Sequence, residues 1–531
     1  MARTPLFGML QRAALTARAS LHVDMPLAEF LGYVEAQRLD HGRRRFLKAG
    51  VGAAAGLALA GCIGWPRSAA PGDDGAEVII VGAGIAGLAA AWRLHQAGVR
   101  VRVFEAQNRI GGRMLSLRGH FADDQIVELG GELIDSNHTR IRSLARELGL
   151  VLDDLQGDDP LAGNDTWFCD GRAHSETEIT SAFVPIAAAI ERDVATLPDA
   201  DITWRTPGGA EALDRLTITG WFDKNGVDGW LRKLIDVAYT TEMGLECDQQ
   251  SALNLLTFIG TDPGPFRIFG ESDERYHVRG GNDLIPRSLA DRLAGAIETG
   301  AVLEALRQDA DDSYTLTFRR GHASEEVRAA QVLIAIPFTT LRQVRMNVAL
   351  PPVKRRAIAR LRYGTNAKLM IGFNERVWRT RHRANGSVYG DLPFQTTWET
   401  SRAQAGKSGV LANFTGGHHG VELGSGSARA QADKAAGELD RVFPGMRAAR
   451  AGAREVRMHW PTNPWVQGSY ACFTPGDWTG LRGAMGESVG RLYFAGEHCA
   501  LDTQGFMEGG CESGETAAVQ ILAARRLPRA A

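Results

Sequence analysis

The chain has 531 residues, 44% hydrophobic and 23% charged, a composition that excludes a disordered polymer and leaves room for two lobes with separate cores. Sixty Lys and Arg against sixty-two Asp and Glu give a net charge of −2, with no long basic run beyond Arg43 to Lys48, so no nucleic-acid partner is expected. The six cysteines, Cys62, Cys169, Cys247, Cys472, Cys499 and Cys511, form no CxxC and no Cys/His cluster, and no metal is expected.

In chain order, residues 1–61 read as an N-terminal extension and signal. Arg43-Arg44-Arg45-Phe46-Leu47-Lys48 resembles the twin-arginine export signal, and the Ala/Gly-rich run at 49–61 is too short and too weakly apolar for a membrane span. Leu59-Ala60-Gly61-Cys62 resembles a bacterial lipobox, in which Cys62 would carry lipid and tether the mature protein; a plain small-residue cleavage site is the alternative. The expected address is periplasmic or extracytoplasmic. Export through the twin-arginine machinery would carry the protein across the membrane already folded. Residues 62–75 read as a linker.

From Glu77 the chain alternates: a buried strand at 78–81, a helix at 85–97 and a second strand at 99–105, one right-handed β-α-β unit. Gly82, Gly84 and Gly87 form GxGxxG between the first strand and the helix. Gly82 allows the tight turn, Gly84 the approach of a pyrophosphate, and Gly87 close packing of helix on sheet, while the helix N-terminus favours negative charge. Glu105, at the end of the second strand, is placed to accept ribose hydroxyls. Residues 140–274 read as mostly helical, and strands return near 276–278, 314–319, 331–336 and 491–494. The expected class is α/β, with a dinucleotide-binding domain assembled from residues 76–139, 275–345 and 485–531. An α+β substrate domain from 140–274 and 346–484 is inserted between these segments.

The dinucleotide turn does not choose between NAD and FAD. After Glu105 comes Arg109-Ile110-Gly111-Gly112-Arg113, then Glu128-Leu129-Gly130-Gly131, and near the end Phe494-Ala495-Gly496-Glu497 and Gly505-Phe506-Met507-Glu508-Gly509. In this order, across residues 77–525, the chain resembles the flavin-containing amine oxidase family. The resemblance implies FAD in a glutathione-reductase-type Rossmann domain, with contacts from Ile85, Ala86, Ala106, Arg109, Gly112, Arg113, Gly130, Gly131, Glu132, Val302, Glu497, Phe506 and Met507. The helix opened by Met507 would aim its amides at the flavin pyrimidine. Ser469 falls where mammalian monoamine oxidases carry a covalent flavin link and has no thiol, so FAD is expected to be non-covalent.

Lys368, inside the apolar run at 366–373, must find a partner or lose its charge. The resemblance makes it the lysine that holds a water against flavin N5; an edge-strand lysine is the alternative. Tyr470 and Phe506 match the two aromatic walls before the flavin, with core packing as the alternative; Trp460 to Phe473 is the expected substrate-recognition segment; and Glu132 and Asp135 would favour a cationic amine, with a helix N-cap at Asp135 or Ser136 as the alternative. His138 and His498 read as hydrogen-bonded structural residues. The implied reaction is transfer of hydride from an amine α-carbon to flavin N5, followed by imine hydrolysis and reoxidation by oxygen to hydrogen peroxide. The alternatives are an L-amino-acid oxidase using Arg205 or Arg279 for the carboxylate, and a desaturase or dehydrogenase with a non-oxygen acceptor. No anchoring helix is expected after Leu522, so any membrane association would come from lipid on Cys62.

Overall fold

The computed structural model describes residues 77–157, 159–258 and 273–526. The twin-arginine-like and lipobox-like segments and the linker that follows lie outside the described residues.

The cofactor-type domain is built on a five-stranded parallel sheet. Its strands are β1 (Val78–Val81), β2 (Val101–Phe104), β3 (Ile297–Glu298), β4 (Gln331–Ile334) and β5 (Leu492–Phe494), in the order β5-β4-β1-β2-β3. All four residues of β1 are buried, as a continuous Val/Ile run requires when both sheet faces are covered. The five strands come from the stretches 76–139, 275–345 and 485–531, which meet through β1 in register with both β2 and β4.

Helix α1 (Ile85–Gln96) follows β1, and the C-terminal helix α2 (Met507–Arg526) lies against it. The two helices cross closely: a Cβ on Gly514 would stand 2.2 Å from the Ala86 carbonyl oxygen. Arg93 of α1, almost wholly buried, is held there by Glu515 of α2 at 2.7 Å and by Glu147 at 2.7 Å. A buried guanidinium of this kind needs both partners to offset its lost hydration.

The second domain carries a seven-stranded sheet in the order Glu455–His459, Ala367–Phe373, Gly409–Thr415, Thr396–Glu399, Val388–Gly390, Thr166–Cys169, Arg172–His174. Helices Glu176–Val194, Gly229–Met243, Ala252–Leu256 and Ala428–Val442 belong to its helical part. The sequence reading of 140–274 as mostly helical misses the hairpin at Thr166–Cys169 and Arg172–His174. Its turn, Asp170-Gly171, has φ of 50° and 78°, the left-handed pair that a two-residue hairpin favours, so the Asp-Gly dipeptide was a legible signal. The hairpin attaches to the rest of the sheet through Val388–Gly390, a pairing more than two hundred residues away that no local pattern encodes.

Candidate active site

A cavity is lined both by the turn after β1 and by residues of the seven-stranded sheet. At one end it is lined by Gly84, Glu105, Ala106 and Val302, and at the other by Lys368, Trp398, Tyr470 and Phe506.

The dinucleotide end follows from the three glycines. Gly82 has φ of +104°, and a Cβ there would press to 2.6 Å from the Ala335 oxygen. Gly87 has no room at all, since its Cβ would fall 2.0 Å from the Gly82 oxygen, so α1 can start where it does only without a side chain. Gly84 is the opposite case: a Cβ there meets nothing within 4 Å, because it would project into the cavity. Glu105, 6% exposed, accepts the Ala83 amide at 2.8 Å and the Gln107 amide at 2.9 Å. Burial pushes its carboxyl up, while those amides pull it back toward the ionised form. A carboxylate has about four lone-pair sites, so two remain for ligand hydroxyls. A turn open at Gly84, the amide-bearing start of α1 and a ribose acid at the end of β2 fit the adenosine diphosphate half of FAD.

The middle of the cavity is a crossing of three motifs. Arg113 donates to the Ser469 carbonyl at 2.7 Å and to Glu497 Oε1 at 2.9 Å, while Glu497 also accepts the Ala471 and Gly505 amides. Gly130 and Gly131 pack where side chains would collide with the Arg113 oxygen and with Met507. Ile85, Ala86, Gly112 and Met507 complete this stretch of wall. Arg109 turns instead onto the carbonyls of Ile110 and Gly112, off the cavity wall. Ser469 lines the cavity and donates to Asn366, whereas Cys472 lies behind the wall beside Asn254.

At the far end Lys368 stands on an interior strand, paired on one side with Gly409–Thr415 and on the other with Glu455–His459, so the edge-strand alternative does not apply. Its Nζ donates to Glu132 Oε2 at 2.7 Å, Gly130 O at 2.9 Å and Glu128 O at 3.1 Å. Trp398 donates to Glu132 Oε1 at 2.9 Å. Burial would push the Glu132 carboxyl up, but Lys368 above all, with Trp398 and Thr400, carries it below its ordinary range. Trp460 bonds the Leu129 carbonyl at 3.1 Å, and Tyr470 the Thr241 carbonyl at 3.2 Å. Phe506 stands edge-on to His138 at 4.9 Å. Asp135 is 1% exposed, accepts the Glu274 amide at 2.7 Å and lies 3.4 Å from His138 Nε2. Trp465, inside the expected substrate-recognition segment, lines this end too, as do Trp398, Phe414 and Glu274, which no sequence motif marks. Trp398 sits in an unremarkable strand, Thr396–Glu399, and only sheet pairing brings it to Glu132.

The two histidines behave differently from each other. His138 Nδ1 accepts the Asp135 amide at 3.0 Å. His498, expected to be hydrogen-bonded, has neither ring nitrogen bonded and packs instead edge-on against Phe338 at 4.4 Å. Burial pushes the His498 imidazole down to about 4 and that of His138 to about 3. Because the unfolded imidazole takes up a proton near 6.5 and the folded one does not, this contribution to stability is complete above 6.5 and is lost as pH falls toward 4. The thermal midpoint is therefore expected to drop from about pH 7 to about pH 5, and His498→Phe to flatten that slope; an identical slope in the variant would remove His498 from the account.

A parallel-sheet dinucleotide fold and a ribose acid at one end of a cavity, with a buried lysine among aromatic side chains at the other, define a dinucleotide-dependent oxidoreductase. Residues 85–522 match the model of the flavin containing amine oxidoreductases, and the chain belongs to that family: it is an FAD-dependent oxidoreductase that acts on amines. It is 25% identical over 469 residues to a flavin-containing amine oxidase of Danio rerio, covering 84% of this chain and 86% of that protein. It is 26% identical over 466 residues to an L-amino acid dehydrogenase of Synechocystis sp., covering 84% and 94%. Its fold is that of cyclohexylamine oxidase from Brevibacterium oxydans IH-35A, with a TM-score of 0.73 at 23% identity over 86% of this chain and 99% of that one.

Proposed function

We propose that the enzyme oxidises cationic amines, with diamines and polyamines as the class the cavity favours, using non-covalent FAD and oxygen. The observation that carries this is the charge of the cavity wall. Five carboxylates, Glu105, Glu132, Asp135, Glu274 and Glu497, face it against Arg113 and Lys368, and both cations are already ion-paired, with Glu497 and Glu132. Carboxylates outnumber cations along this wall, and the aromatic side chains of Trp398, Trp460, Tyr470 and Phe506 suit an ammonium and its methylene chain.

FAD would be held by the Gly84 turn, Glu105, Arg113, Gly130, Gly131 and the start of α2, and when bound would supply a two-electron acceptor for the hydride of the amine α-carbon, with oxygen as the final acceptor. Tyr470 and Phe506 would orient the amine, and Asp135 would retain a second, distal ammonium. The imine is hydrolysed by water to a carbonyl compound and ammonia or an amine.

The Synechocystis relative favours a second reading, oxidation of L-amino acids with transfer to another acceptor. Of the arginines that would grip a carboxylate, Arg205 is tied to Glu487 and Arg279 to Asp153, and neither lines the cavity. Peroxide release across monoamines, diamines, polyamines and L-amino acids, with parallel dye reduction without oxygen, separates the readings. Diamines are expected to lead, and Asp135→Asn to raise their KM about tenfold with little change for monoamines, as fits the loss of one charge-assisted contact. Turnover confined to L-amino acids, or dye reduction without peroxide, would replace the proposal. Export by the twin-arginine route, with lipid on Cys62, belongs to the same reading and rests on the Arg43 to Cys62 sequence.

A further inference from the structure

The surroundings of Lys368 Nζ contain three acceptors, the carbonyls of Glu128 and Gly130 and the carboxylate of Glu132. An ammonium has three N–H bonds to give, whereas a neutral amine has two and a lone pair that needs a donor. Only the charged form satisfies all three partners. The side chains of Lys368 and Glu132 are 6% and 5% exposed, and the second Glu132 oxygen is fixed by the Trp398 indole, whose ring centre lies 5.2 Å from Nζ.

We propose that Glu132 is a positioning residue that keeps Lys368 permanently as an ammonium with every N–H committed to protein, so that Lys368 acts on the redox centre as a fixed positive charge. This rests on the FAD-dependent reading above and departs from the water-holding role that the family resemblance implies. Reduction leaves two additional electrons in the site, and reoxidation hands them to oxygen, which takes up two protons to leave as hydrogen peroxide. A fixed cation in a buried wall favours the extra negative charge at both stages without itself losing a proton.

The other charged groups around the pair are accounted for. Glu128 directs its carboxylate to Ser116 and His277, Asp135 meets Glu274 and His138, and Arg113 is paired with Glu497. On the adjoining strand Met458 lies opposite Lys368, while the neighbouring Arg457 and His459 point to the other face, where they bond the carbonyls of Leu423 and Gly420. Phe414 lies opposite on the remaining side.

The test uses holoenzyme reduced chemically with dithionite in the absence of any amine, so that it stays independent of which substrate is correct. Oxygen reoxidation is followed against pH together with the midpoint potential. For the wild type the rate is expected to stay flat between about pH 6 and 9, since all three N–H bonds of Lys368 are committed to protein acceptors. Glu132→Gln is expected to lower the rate roughly tenfold, to lower the potential, and to create a limb that rises toward acid, because one of the three Lys368 acceptors is then no longer a carboxylate, with Glu132→Asp restoring the flat profile. A purely structural Glu132 would change FAD affinity or melting temperature and leave the profile flat, and that result overturns the proposal. Should Glu132→Gln not retain FAD, Trp398→Phe takes its place: it removes only the second tether, and a new acid limb supports the proposal while a flat profile refutes it.

Discussion

Lys368→Met is expected to destabilise the enzyme by about 3–5 kcal/mol near neutral pH and to slow oxygen reoxidation of chemically reduced enzyme by about a hundredfold. The stability loss comes from the partner left behind, since Glu132 would be a buried carboxylate with Trp398 and Thr400 but no cation. In the wild type the Glu132 carboxyl is held low, so its contribution is present above the ordinary carboxyl value of 4.5 and lost as pH falls below it. In the variant burial is no longer opposed by Lys368 and the folded carboxyl rises above its unfolded value. Its contribution is then present at low pH and lost as pH rises. The stability difference between the two proteins should therefore shrink toward about pH 4 and widen toward about pH 7. Denaturant midpoints measured at those two values test the sign; a difference independent of pH would mean that Glu132 is not the group left uncompensated.

Gly87→Ala should yield protein that has lost most of its FAD. The added methyl would stand 2.0 Å from the Gly82 carbonyl and 3.3 Å from the Ile80 side chain, so α1 has to move away from β1. That displacement costs about 1–3 kcal/mol as overpacking, and it also pulls the helix N-terminus and the Gly84 turn away from the pyrophosphate they would hold. Flavin absorbance after gel filtration, with apoprotein titrated with FAD, reads the effect directly. The control is Gly98→Ala, which sits just beyond α1 with nothing within 4 Å of its Cβ, although its φ of +80° makes alanine somewhat strained there. Gly98→Ala should melt slightly lower and keep its FAD. If both variants keep FAD, close packing at Gly87 is not what forms the site.

Much of the fold was legible because its signals are local. A fully apolar strand followed by three glycines and an acid is a short pattern, and each glycine serves a separate contact: with the Ala335 oxygen, with the open cavity, and with the Gly82 oxygen. The motifs around Arg113, Gly130 and Glu497 were likewise visible as short segments, although their meeting in one hydrogen-bonded crossing was not. The strand containing Lys368 is legible from its apolar run, and the Asp170-Gly171 turn is a local hairpin signal.

By itself, then, the sequence determined the dinucleotide turn, its ribose acid, the order of the flavin motifs and the presence of a lysine where charge is costly, because these depend on residues close together in the chain. Only the tertiary structure decided what Lys368 does. Its ion pair with Glu132 spans 236 positions and the Trp398 bond to Glu132 spans 266, distances over which no periodicity or motif carries information. Sheet register set both: Lys368 is placed opposite Phe414, and Thr396–Glu399 is laid beside the same strand so that the Trp398 indole reaches the carboxylate. Partners of a buried charge are chosen by packing, and packing is settled when the domains close on each other.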